Sequence, residues 1–156
     1  MSAEHVDELA WNDNLLLGYE PMDAVHREFV AQIASLSQCA EEDLAGGLAR
    51  LHEHLKEHFD AEDALMVQHD FPPRDCHIDE HAAVLKSARD VLALVQEGDV
   101  AIGRDFVAHL ADWFPGHTTH LDSALAHWMV KRLHGGKPVV LRRHMSFDHG
   151  AAELSA

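Results

Sequence analysis

The sequence predicts an all-α fold: an up-down-up-down antiparallel four-helix bundle with an extended N-terminal arm and a short C-terminal extension. Three observations carry this prediction. Four long segments repeat apolar residues at the helical interval. Clusters of Gly and Pro, not long loops, divide them. No stretch alternates convincingly as a strand would. Long helices joined by short connections must run antiparallel to their neighbours.

Residues 1–22 lack a helical period and hold Gly18 and Pro21, which reads as an extended arm. The first helix is expected to open at Asp23, a residue type that caps helix N-termini, and to end near Cys39 or Ala40. Its stripe is His26, Phe29, Val30, Ile33 and Leu36. The second is expected from Asp43 or Leu44 to about His69, weakened early by Gly46-Gly47 and stopped by Phe71-Pro72-Pro73. Its stripe is Leu51, Leu55, His58, Glu62, Leu65 and Met66. The third runs from about Asp75 to Glu97-Gly98, with Gly98 as the terminating glycine. Its stripe is His77, His81, Val84, Ala88, Val91 and Val95. The fourth runs from about Asp99 to Leu133, with a stripe of Phe106, Leu110, Trp113, His117 and Leu121, before Gly135-Gly136 and Pro138. The bundle is thus expected over residues 23–134. Residues 135–156, apolar only at Val139-Val140-Leu141, read as a loosely docked extension.

Composition bounds the function. A chain of 156 residues fits one domain that buries roughly 70% of its unfolded surface. With 27 acidic and 12 basic residues the net charge is −15, which argues against a nucleic-acid or anionic-membrane surface. No apolar run approaches the ~18 residues that a membrane helix needs. Cys39 and Cys76 make no disulfide framework, and the acidic, polar opening does not read as a signal peptide, so a cytoplasmic location is expected. Histidine stands out, with 15 copies.

The inward stripes carry polar residues where Leu or Val would be ordinary: His26, His58, Glu62, His77, His81 and His117. Burying five imidazoles and a carboxylate without partners would cost several kcal/mol each or force their pKa values to shift. A shared cation removes that cost, because neutral imidazole and carboxylate are ligands for iron, zinc or manganese. His58-x-x-x-Glu62 and His77-x-x-x-His81 place both side chains of each pair on one helix face, ~6 Å apart along the axis. His117-x-x-x-x-Asp122 does not: five residues turn ~140° beyond one full turn, so the helix must be distorted or the pair must straddle something wide. Pro115-Gly116, just before His117, supplies a reason for distortion. Any single pair has a plain explanation, since so many histidines give roughly one i,i+4 His–His pair by chance. His54-x-x-x-His58 is such a second pair. The weight lies in the set, with one ligand group on each of four helices.

Here the residues resemble the hemerythrin-like proteins, specifically the bacterial hemerythrins. His58-Phe59-x-x-Glu62-x-x-Leu65-Met66 and Trp113-x-x-x-His117-x-x-x-x-Asp122 resemble two of that family's segments, and Trp11 with Leu17–His26 resembles its arm and first ligand. The likeness covers about residues 10–133. It implies two non-haem iron ions, one held by His77, His81 and His117 and the other by His26 and His58 with a position open for dioxygen. Glu62, Asp122 and a solvent-derived oxygen would bridge them. The resemblance also implies an oxygen pocket walled by Phe29, Phe59, Trp113 and Phe114. Thr118 departs from the bulky aliphatic often found after the fourth-helix histidine, and its hydroxyl can hydrogen-bond a ligand or admit water.

Three functions follow. A histidine-rich iron pair with an open position suits reversible binding of dioxygen or a similar diatomic, for storage, transport or sensing, which would make the chain no enzyme. The alternative is a di-iron enzyme that reduces or activates oxygen, peroxide or nitric oxide. A third is structural zinc or a histidine pH switch on a helical interaction module. The first is the expectation taken forward. Of the remaining groups, Asp63 is a candidate acceptor for a ligand imidazole. His52, His54, His69, His109, His120, His127 and His134 are expected outside the centre, and Cys76 to be an inert thiol.

Overall fold

The computed structural model describes residues 9–133. The predicted extension at 135–156, His134 and the first eight residues lie outside them. A short 3-10 turn (Asp13–Leu15) precedes α1 (Glu20–Gln38), α2 (Glu41–Gln68), α3 (Arg74–Gln96) and α4 (Val100–His117). A π-helical turn (Thr118–Asp122) then leads into α5 (Ser123–Leu133). The backbone stays helical through both junctions, so α4, the π turn and α5 form one fourth rod. There is no strand among the described residues. Helix α1 packs on α2 and α4, and α3 packs on α2 and α4, which closes the four rods into an antiparallel bundle.

The helix ends show how the chain reverses. At the end of α2, Asp70 takes φ 52, its N–H donates to Val67 O, and the Phe71 N–H donates to Met66 O at 2.9 Å. This paired closure normally uses glycine; Asp tolerates the left-handed backbone better than most residues. Helix α3 ends the same way on Gly98, at φ 108, with the Asp99 N–H donating to Leu94 O. Asp99 then caps α4 by accepting from the Ile102 N–H at 3.1 Å. The last carbonyls of α1 are met from across the bundle: Arg104 donates to Leu36 O at 3.3 Å and to Cys39 O at 2.7 Å.

Helix α2 opens at Glu41, two residues before the expected Asp43, and two larger features differ from the sequence prediction. Helix α1 opens at Glu20, three residues before the expected Asp23. Pro21 sits in its first turn, where the missing N–H has no helical partner to lose. Asp23 does not cap the helix. It is buried and accepts from the backbone N–H groups of Leu17 and Gly18 at 2.8 and 3.0 Å, which pins the arm to α1. In the fourth rod, Val107 and Phe114 are buried while Phe106 and Trp113 are half-buried, and beyond the π turn the inward face continues through Leu125, Ala126 and Met129. A turn with an extra residue shifts the phase, so no single 3.6-residue stripe describes the rod.

The apolar core falls into two parts. One contains Phe29, Ile33, Leu51, Leu55, Phe59, Leu110 and Phe114. The other contains Met22, Met66, Phe71, Leu125, Ala126 and Met129. On α1 and the fourth rod the buried polar residues lie in sequence between these two parts; on α2 Glu62 does, while His58 sits at the edge of the first, beside Phe59.

Asp23→Ala is expected to lower stability by about 1–3 kcal/mol, because it strands two N–H groups at a part-buried site. Urea unfolding measures this, and limited proteolysis should cut the released arm ahead of the bundle.

Candidate metal centre

Helix α1 carries His26, α2 carries His58 and Glu62, α3 carries His77 and His81, and the fourth rod carries His117 and Asp122. The structure brings all seven side chains together, and all are buried. The pairs on α2 and α3 share a face through ordinary i,i+4 geometry. The His117–Asp122 pair shares a face through the π turn, which closes five residues instead of four. Pro115, inside α4 and without an N–H, loosens the ladder just ahead of that turn. His117 Nε2 and Asp122 Oδ1 end up 3.1 Å apart.

The two carboxylates divide the histidines. Glu62 Oε1 lies 3.4 Å from Nε2 of both His77 and His81. Its Oε2 lies beside His58 Nε2 and 3.5 Å from His26 Nε2. Asp122 Oδ1 lies 2.9 Å from His77 Nε2, while Oδ2 lies 3.2 Å from His26 Nε2. Each carboxylate therefore turns one oxygen to a three-histidine group and the other to a two-histidine group. Two sets of ligand atoms, each within 4.8 Å of one another, share Glu62: one with His77, His81, His117 and Asp122, the other with His26 and His58.

These atoms are close but largely unbonded. Nε2 of His26, His77, His81 and His117, with Glu62 Oε1 and Asp122 Oδ1, are buried without a hydrogen-bond partner among the described residues. Their lone pairs meet over common spaces instead of aligning on one another. Buried polar atoms are rarely left so, and this donor set is one that iron, zinc or manganese accepts, so the cluster could hold metal ions.

Surrounding residues aim the imidazoles. His81 Nδ1 donates to Asp63 at 2.7 Å, and His117 Nδ1 donates to Glu80 at 2.8 Å. Each bond fixes a tautomer that leaves Nε2 for the centre. Glu80 Oε1 also accepts from Trp113 Nε1 at 2.8 Å, and the Trp113 ring stacks on His117 with centroids 4.3 Å apart. Glu80 went unrecognised in the sequence. Its place between His77 and His81 was a signal, but its acceptors' partners lie on another helix.

The expected pocket aromatics stand around the same point. Phe114 meets His26 edge-on at 5.3 Å and Phe29 at 4.7 Å, and Phe59 stacks on His81 at 4.0 Å. Thr118 is fully buried, and its hydroxyl donates to Asp122 Oδ2 at 3.4 Å. His109, His120 and His127 are exposed, and His52 and His69 are half-buried away from the cluster.

Burial opposes a charge on His26 and on His77, but Asp122 and Glu62 outweigh it and raise each pKa to about 9. Burial likewise opposes a charge on Asp122, yet the histidines hold it low. A raised folded pKa stabilises fully below the free value of 6.5 and is lost as pH climbs through about 9. The melting temperature of the metal-free chain is therefore expected to fall between pH 6.5 and 9, and the metal-loaded chain, where no proton is held, to show no such fall. Thermal melts across that range check both.

The hemerythrin HHE cation binding domain family matches residues 17–128. The chain is 34% identical over 124 residues to a protein of Ralstonia nicotianae named Bacteriohemerythrin, a match covering 80% of this chain and 90% of that one. No solved structure matches. With these matches over most of its length, and with the four-rod bundle around the buried cluster, the chain belongs to the hemerythrin family.

Proposed function

We propose that this chain binds dioxygen reversibly at two non-haem iron ions, held by His77, His81 and His117 on one side and His26 and His58 on the other, with Glu62 and Asp122 between. The observation that carries this reading is the split of three histidines against two across two shared carboxylates. A pair of ferrous ions supplies two electrons and a position for a diatomic ligand.

The chain's residues supply the rest. His26 and His58 provide only two imidazoles, so their side leaves more coordination room than the three-histidine side. Phe29, Phe59 and Phe114, each 1% exposed, keep bulk water from the cluster. Asp63 and Glu80 hold the Nδ1 protons of His81 and His117, which keeps those rings from turning. Five imidazoles to two carboxylates make a donor set that disfavours high oxidation states, which suits carriage over oxidation chemistry. Family membership and the name of the Ralstonia relative support the reading. A cytoplasmic location is part of this proposal; no helix among the described residues is long and apolar enough to cross a membrane.

One observation favours the enzymatic alternative. Thr118 places a buried hydroxyl, 3.4 Å from Asp122, beside the site of ligand binding. A proton donor there promotes loss of reduced oxygen and favours turnover.

Metal analysis with optical spectra under oxygen and then argon tests the reading. Two irons per chain and a colour that forms with oxygen and bleaches under argon are expected. One zinc per chain, or colour that never bleaches, would reject it. Thr118→Val is expected to slow irreversible oxidation of the loaded protein about fivefold, the worth of one neutral hydrogen bond, as followed by decay of the oxygenated spectrum.

A further inference from the structure

A groove of about 190 Å³ lies between α1 and α2, and His58 and Glu62 form part of its wall. Along it stand Glu28 from α1 and His54 and Glu57 from α2. His54, His58 and Glu62 are spaced i, i+4, i+8, so α2 presents one donor group about every 6 Å. Their exposure falls steadily: the Glu28 side chain is 68% exposed, His54 15%, His58 5% and Glu62 3%. Glu28 reaches across to His54, with Oε2 3.2 Å from Nε2. Nδ1 of His54 and Nδ1 of the buried His58 have no hydrogen-bond partner among the described residues.

We infer that this groove is the route by which metal ions reach the centre, with Glu28, Glu57 and His54 as transient holds for a divalent cation. The inference rests on the reading of the seven-residue cluster as a metal centre. A hydrated cation cannot enter an apolar bundle in one step, because shedding its water without replacement costs many kcal/mol. Donors one helical turn apart let protein atoms replace water one at a time. An acidic rim draws cations in and repels anions. At the three-histidine end the acids Glu80 and Asp63 are tied to the buried ligand rings His117 and His81, whereas in the groove Glu28 is tied only to His54, itself a hold on the route. Dioxygen is neutral and needs neither the acids nor the imidazole of the groove.

The test follows ferrous iron entering the metal-free full-length chain without oxygen. Uptake is read by quenching of tryptophan fluorescence and by metal content in samples stopped with a chelator. Glu28→Gln, at an exposed position that does not threaten folding, and His54→Leu are each expected to slow uptake by about tenfold or more while final content stays the same. Glu97→Gln, at an exposed acid on the end of α3, should leave the rate unchanged. Uptake as fast in both groove variants as in the unaltered chain overturns the route. A slower reaction of the loaded variants with dioxygen, with uptake unslowed, assigns the groove to the gas and also overturns it. If the unaltered chain takes up no iron, the metal-centre reading itself fails.

Discussion

Five imidazoles and two carboxylates buried at one level of an apolar bundle are the constraint on which the rest of this structure depends. Nine of their nitrogen and oxygen atoms have no hydrogen-bond partner among the described residues. The described chain concentrates its buried charge at this level and keeps it dry with aromatic rings on one side. The two apolar clusters then act as separate clamps. One holds the ends of α1 and α2 near the 39–40 turn, together with the upper part of α4. The other joins the start of α1, the end of α2 and α5. Metal ions held by these groups would cross-link the rods at the level where the apolar core is interrupted.

Backbone irregularity serves the same end. A regular helix through His117 and Asp122 would swing one of the two away from the centre by ~140°. The π turn removes that swing, and Pro115 marks where the regular ladder is interrupted. Thr118, at the start of that turn, is buried by the same geometry that brings Asp122 inward. The buried Thr118 hydroxyl and the Asp122 carboxylate among the histidines are thus two products of one backbone feature.

The two ends of the centre differ in their surroundings. On the three-histidine side, His81 and His117 are each backed by a carboxylate, and a half-buried tryptophan covers His117. Nδ1 of His77, on that side, and of His26 and His58, on the other, have no partner among the described residues, and on the two-histidine side a groove reaches His58 from the surface.

Helix number, order and approximate ends were legible because apolar period and Gly/Pro punctuation are local, and so were the two i,i+4 ligand pairs, whose spacing alone sets their common face. The start of α1 was misread because Pro21 fits a first helical turn as well as a break, and Asp23 chose between capping and pinning only once the arm folded back. The need for distortion near His117 could be read from the five-residue spacing, but not its form. What the sequence by itself determined was which side chains each helix would turn inward, since that follows from residues within a few positions of one another. Tertiary structure alone decided how Glu62 and Asp122 split their oxygens between histidine groups, that Glu80 would hold Trp113 and His117, and that Glu28 would meet His54 across a groove. Those relations join residues on different helices, and their distances exist only after the rods have packed.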